Sequence, residues 1–110
     1  MKLVAFDATR AITQFDSHGT TIGGIAKCAG HVRLSALELE AGGVVGMHEA
    51  ACPQLFLVVS GSGWSRAGDG ERVALASGEA ALWETGERHE SGSDHGLTAI
   101  VVEAESLELV

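Results

Sequence analysis

The chain has 110 residues, with 7 Lys+Arg against 15 Asp+Glu for a formal net charge of −8. That length supports one hydrophobic core, because two would each fall near the lower limit for unaided folding. A composition that is 45% hydrophobic excludes a disordered chain, and an acidic chain without a basic stripe has nothing to offer a nucleic acid or an anionic membrane surface.

In chain order, the opening Met1-Lys2-Leu3-Val4-Ala5-Phe6-Asp7 meets an acid before an apolar leader can develop. Residues Thr9–Gly30, with Gly19, Gly23, Gly24 and Gly30, carry the least pattern. Residues 1–30 are expected to form an N-terminal arm of edge strand and loops, ahead of a barrel over residues 31–110. His31–Glu40 reads as a long strand closed by the turn Glu40-Ala41-Gly42-Gly43, and a further strand begins at Val44. Leu55-Phe56-Leu57-Val58-Val59 is a continuous apolar run, ended by Ser60-Gly61-Ser62-Gly63. Such a run suits a strand buried on both faces, although periodicity alone does not separate it from a short buried helix. Trp64–Ala67 and Glu71–Leu75 flank Gly68-Asp69-Gly70, a hairpin signal. Ala80–Trp83 follows the turn at Ser77-Gly78, and Leu97–Glu103 follows Gly92-Ser93-Asp94-His95-Gly96.

No segment sustains helical spacing, and the run Leu55–Val59 is far short of the ~20 residues of a spanning helix. Strands recurring roughly every 8–12 residues with turns between them predict an all-β antiparallel sandwich or barrel, one domain overall. Cys28 and Cys52 form neither a disulfide framework nor a CxxC pair, so a reduced, cytoplasmic setting is expected.

Three polar residues stand at the edges of apolar strands: His48 after the strand starting at Val44, Gln54 opening the run Leu55–Val59, and His89 after the turn Glu84-Thr85-Gly86-Glu87-Arg88. Burying an imidazole or amide without a partner costs about 1–3 kcal/mol. Three of them converging inward would need a shared water, ligand or metal.

Their spacing resembles a known pattern. Gly42, five residues, His48, one residue, Ala50, three residues, Gln54, six residues and Gly61 resemble the first cupin motif. Gly78, five residues, Glu84-Thr85-Gly86, two residues, His89, three residues and Ser93 resemble the second, after an interval of sixteen residues. The resemblance, to small single-domain bacterial cupins, implies a jelly-roll β-barrel and His48, Gln54 and His89 as metal ligands. It departs from the family pattern at Ala50, where a histidine is usual, at Gln54 for glutamate, at Glu84 for proline and at Ser93 for asparagine.

Three protein ligands with open positions is the arrangement a catalytic metal favours, and an imidazole pair suits Fe, Mn, Ni, Cu or Zn. With the carboxylate missing, an anionic or chelating ligand would supply charge and close the shell. The leading reading is therefore a metal-dependent cupin that binds or acts on a small anionic organic molecule. The alternative is a metal-free, non-catalytic cupin that binds a small ligand, its two histidines bridged by water and Gln54 bonded to a neighbouring strand.

Other residues are weighed beside these. Glu49, Glu84, Glu87 and Glu90 surround the histidines, and Glu84, in place of the turn proline, is the candidate general base or fourth ligand. Arg88 could pair a substrate carboxylate or a surface acid. Counting by two from His48 brings Ala50, Cys52 and Gln54 to one notional face, although Pro53 interrupts it. Cys52, Trp83 and Phe56 are the candidate pocket-lining residues, with walls from Leu55–Val59, Trp83 and Leu97–Val102; Trp64 and Trp83 are core residues of which one could stack on a ligand. His18, His31 and His95 read as loop, strand-face and turn residues. The chain has no tyrosine, which excludes a Cys–Tyr cross-linked thiol dioxygenase site. A small-molecule ligand and a homodimer are the expected partners, because open sheet edges invite pairing.

Overall fold

The computed structural model describes residues 1–110 and contains strands but no helix. In chain order these are β1 (Lys2–Ala5), β2 (Arg10–Ala11), β3 (Thr21–Ile22), β4 (Ala26–Leu39), β5 (Val44–Glu49), β6 (Gln54–Ala67), β7 (Val73–Ala76), β8 (Glu79–Trp83), β9 (Arg88–Gly92) and β10 (Leu97–Leu109). Two antiparallel layers face each other. The larger runs β1-β8-β6-β10-β4, while β5, β9, the second half of β6 and β7 make the smaller; β2 and β3 form a separate ribbon.

One strand joins the layers. The expectation that the apolar run ends at Ser60-Gly61-Ser62-Gly63 is corrected, because β6 continues through these residues to Ala67. Its first half pairs with β8 and β10, its second with β7 and β9. The change of layer follows a bulge: Thr98 pairs with Ser60 and Ala99 with Val58, which leaves Val59 as the extra residue. Gly61 then adopts φ 77°, and a side chain there would run into the Gly96 carbonyl. The glycines that mimic a terminating turn are therefore a corner.

Other boundaries also move. β4 begins at Ala26 rather than His31, and β10 runs past Glu103 to Leu109, the two pairing along their length. Within residues 1–30, Lys2–Ala5 pairs with Glu79–Leu82 at the edge of the large layer. On the other side of that layer β4 hydrogen-bonds only to β10, which leaves its outer edge free.

The apolar run is buried on both faces from Leu55 to Val58, while Val59, the bulge residue, is exposed. Phe56 and Val58 point between the layers with Leu75, Ala81, Trp83, Leu97, Ala99 and Val101. Leu55 joins Ala80, Leu82, Ala104 and Leu107 on the opposite face, with Phe6 and Ile25 packed against them. Alternation sends successive side chains of one strand to two separate cores.

Candidate functional site

A cavity of about 50 Å³ lies between the layers, lined by Leu37, Val45, His48, Gln54, Phe56, Trp83, His89, Ser91 and Val101. The structure therefore brings His48, Gln54 and His89 together with Phe56 and Trp83.

A bulge in β5 delivers His48. Val45 pairs with Ser91 and His48 with His89, so β5 has one more residue than β9 across this interval. Within the bulge the His48 Nδ1–H donates to the Gly46 carbonyl at 2.7 Å. A carbonyl can only accept, so Nδ1 carries a proton, and the tautomer this fixes for the neutral ring has its lone pair on Nε2. This is the arrangement in which a backbone group orients a histidine for ligation.

His89, opposite it on β9, is 3% exposed, and its Nε2 is buried without a hydrogen-bond partner. Its ring centre lies 4.3 Å from that of His48, the planes tilted by 55°. On its other side the ring stacks on Trp83, 3.9 Å between centres and 18° between planes. Burial, reinforced by the nearby His48 and opposed by Glu87, pushes the His89 pKa down to about 4. A neutral imidazole with a free nitrogen is thus held ready across the neutral range. Gln54 enters from β6, paired in register with Trp83 on β8 and with Glu103 on β10.

The other candidates are placed elsewhere. Glu84 is exposed in the turn after β8, where its backbone N–H donates to Glu87 Oε1 at 2.9 Å; neither carboxylate lines the cavity. Cys52 does not share the cavity either. Pro53 breaks the strand, and Cys52 lines a separate groove with His31, Arg33 and Glu103, its Sγ 3.9 Å from Glu103 Oε2. Ala50 is buried in the inner core, its N–H bonded to the Glu87 carbonyl. Arg88 is exposed beside a surface groove shared with Met47, Arg66 and Asp69.

Sequence reasoning missed Ser91, Leu37 and Val45 as lining residues. Ser91 was findable, since it stands two residues after His89 on one strand and shares its face. Its hydroxyl lies 3.0 Å from that of Ser65, which donates to the Glu90 carbonyl at 3.1 Å. The Ser91 hydroxyl is therefore the donor to Ser65.

These donors fit a metal in a particular way. With metal–nitrogen bonds of about 2.0–2.1 Å, two imidazoles on adjacent coordination positions have ring centres roughly 4–5 Å apart, which matches the His48–His89 spacing. No three side chains drawn from His, Cys, Asp and Glu converge to hold an ion. Gln54, which lines the same cavity, carries an amide oxygen and no charge.

No family profile matches the chain, and no curated protein does. Solved structures do. A cupin superfamily protein from Desulfitobacterium hafniense aligns over 96% of this chain and all of its own, at 12% identity and TM-score 0.63. A cupin-like protein from Thermotoga maritima aligns at 16% identity and TM-score 0.64, over 72% of this chain and 64% of its own. A predicted oxalate decarboxylase from the same organism aligns at 20% identity and TM-score 0.58, over 70% and 65%. The matched part of this chain spans just under two thirds of the two Thermotoga proteins. At these identities the likeness is one of architecture, and that architecture, two facing antiparallel layers joined by a strand that turns the corner, is the cupin fold.

Proposed function

We propose that the cavity binds a divalent transition metal through His48, His89 and Gln54, and with it a small anionic organic molecule that the protein binds or transforms. The observation that supports this most directly is the His89 Nε2, buried and unpartnered opposite an imidazole whose free nitrogen is fixed by a backbone bond. A bound ion would serve there as Lewis acid or oxygen activator. The chain's own residues do the rest: Gly46 orients His48, Trp83 braces the His89 ring, and the apolar wall of Leu37, Val45, Phe56 and Val101 limits water.

Size and charge narrow the guest. A buried cavity of about 150 Å³ holds benzene, so a cavity of about 50 Å³ encloses a few atoms rather than a sugar or an aromatic ring. A neutral donor set leaves the charge of a divalent ion uncompensated, and an anion supplies the balance. One of the similar proteins, a predicted oxalate decarboxylase, is likewise named for a small anion.

Elemental analysis of protein purified without a nickel column tests the reading. The expected result is one divalent ion per chain, lost in both His48→Ala and His89→Ala, with occupancy raised by a small carboxylate. Gln54→Glu, by adding the missing charge, is expected to tighten metal binding about tenfold or more. Metal-free protein with an intact fold, indifferent to added ions, would overturn the reading in favour of a metal-free ligand-binding cupin.

A further inference from the structure

Two side-chain polar atoms in the molecule are buried without a partner, the Trp83 Nε1 and the His89 Nε2. They belong to stacked rings on the wall of one cavity, and Trp83 borders no other. A lone-pair nitrogen can wait for a metal, but an indole N–H is donor only and can be satisfied by nothing except an acceptor. Buried polar groups left without protein partners in a native fold call for a water, ion or ligand.

Two of the neighbouring donors are already committed, while the amide of Gln54 stays free beside the indole. The His48 N–H goes to the Gly46 carbonyl, and the Ser91 hydroxyl to Ser65. Shape alone does not demand an indole here, since phenylalanine would also stack on His89 and pack on Phe56, whose ring centre is 5.8 Å away. The N–H is what tryptophan adds. In a chain with 15 Asp+Glu, none lines this cavity, so no carboxylate stands in direct contact with a negative guest.

Building on the function proposed above, we infer that the Trp83 N–H is the recognition donor of this site, hydrogen-bonding an oxygen of a small oxyanion such as formate or acetate. The cavity of about 50 Å³ encloses only a few non-hydrogen atoms. Trp83 would thereby select for an oxygen acceptor at a fixed place beside His89. This is a specificity role distinct from metal ligation.

Titration of ¹⁵N-labelled protein with formate or acetate, with and without Zn(II), tests it. The chain has two tryptophans, and Trp64 serves as internal control. The Trp83 indole cross-peak is expected to move saturably while that of Trp64 stays in place, and benzoate, too large for the cavity, should move neither. Trp83→Phe, which keeps a stacking ring and removes the donor, should weaken formate binding about tenfold. Ring nitrogens of His48 and His89 report the metal independently. If Zn(II) shifts them while formate leaves the Trp83 signal unmoved, the recognition role falls and the metal reading stands. If Zn(II) leaves them unchanged but formate still moves Trp83, the metal reading falls and the recognition role stands. A Trp83 signal indifferent to every small oxyanion, or moved equally by benzoate, overturns the inference even if the Phe variant fails to fold.

Discussion

The two layers of this molecule do different work. The larger layer is apolar on both faces: β8 buries Ala80, Ala81, Leu82 and Trp83, and β6 and β10 supply Leu55, Phe56, Val58, Leu97, Ala99, Val101, Ala104 and Leu107. In the smaller layer β7 and the second half of β6 bury Leu75 and Trp64, but β5 and β9 have little apolar surface to bury. No residue of β5 is fully buried, and β9 buries His89, Ser91 and Gly92. Cohesion resides in one layer and polar chemistry in the other, and Gln54, at the start of the strand that joins them, contributes a polar group from the first to the cavity. A buried His89, with the exposed His48 beside it, is tolerable here because the opposite wall already provides the burial that folding requires.

Leu55→Ala should break the larger layer most. Leu55 is 1% exposed in the outer core, and its truncation is expected to cost about 2–5 kcal/mol in urea unfolding, with the response of His48 and His89 to metal unchanged in the folded fraction. An equal loss of metal response would show that the layers do not divide the work.

The next effect belongs to His89 in metal-free protein. Its folded pKa, about 4, lies below the ordinary value of 6.5, so the unfolded chain takes up the proton first as pH falls. Stability is therefore complete above about pH 6.5, declines from there to about pH 4, and levels off below, for a total of up to about 3 kcal/mol from this group. His89→Gln should flatten that interval, measured as midpoint against pH. A variant with an unaltered slope would assign the acid sensitivity elsewhere.

Ser93→Ala should give the smallest effect. The Ser93 hydroxyl, 1% exposed, donates to the Ser62 carbonyl and accepts the Gly96 N–H at 2.8 Å, securing the corner of β6 against the turn before β10. Its loss is expected to cost about 1–2 kcal/mol, read as a lower midpoint with the cavity titrations intact.

The contrast between layers also explains what could be read from the sequence. Leu55–Val58 and Ala80–Trp83 announce themselves because burial on both faces leaves an unbroken apolar run, and Ala99–Val102 reads as apolar for a similar reason. β9, Arg-His-Glu-Ser-Gly, carries its inward face as His89 and Ser91, and polar residues on both faces leave no alternation to detect. The corner of β6 was misread because its glycines match a turn signal, and only contact with Gly96 and Leu97, distant in the chain, distinguishes a bend from an end. The approach of His48 to His89 was suggested by motif spacing. The bulge that sets the His48 tautomer, and the burial that keeps His89 neutral, depend on pairing between strands and have no local signature. Cys52 was drawn toward the cavity by counting in twos through Pro53, where strand alternation no longer holds.

The stack of Trp83 on His89 gives the protein an optical gauge of its own. An indole's emission is sensitive to an adjacent imidazole and is quenched when that ring gains a proton, so a ring 3.9 Å away places the fluorophore in direct contact with whatever changes the charge of His89. Filling the cavity, emptying it or acidifying it should each alter the light from Trp83, and occupancy can then be followed in unlabelled protein at micromolar concentration.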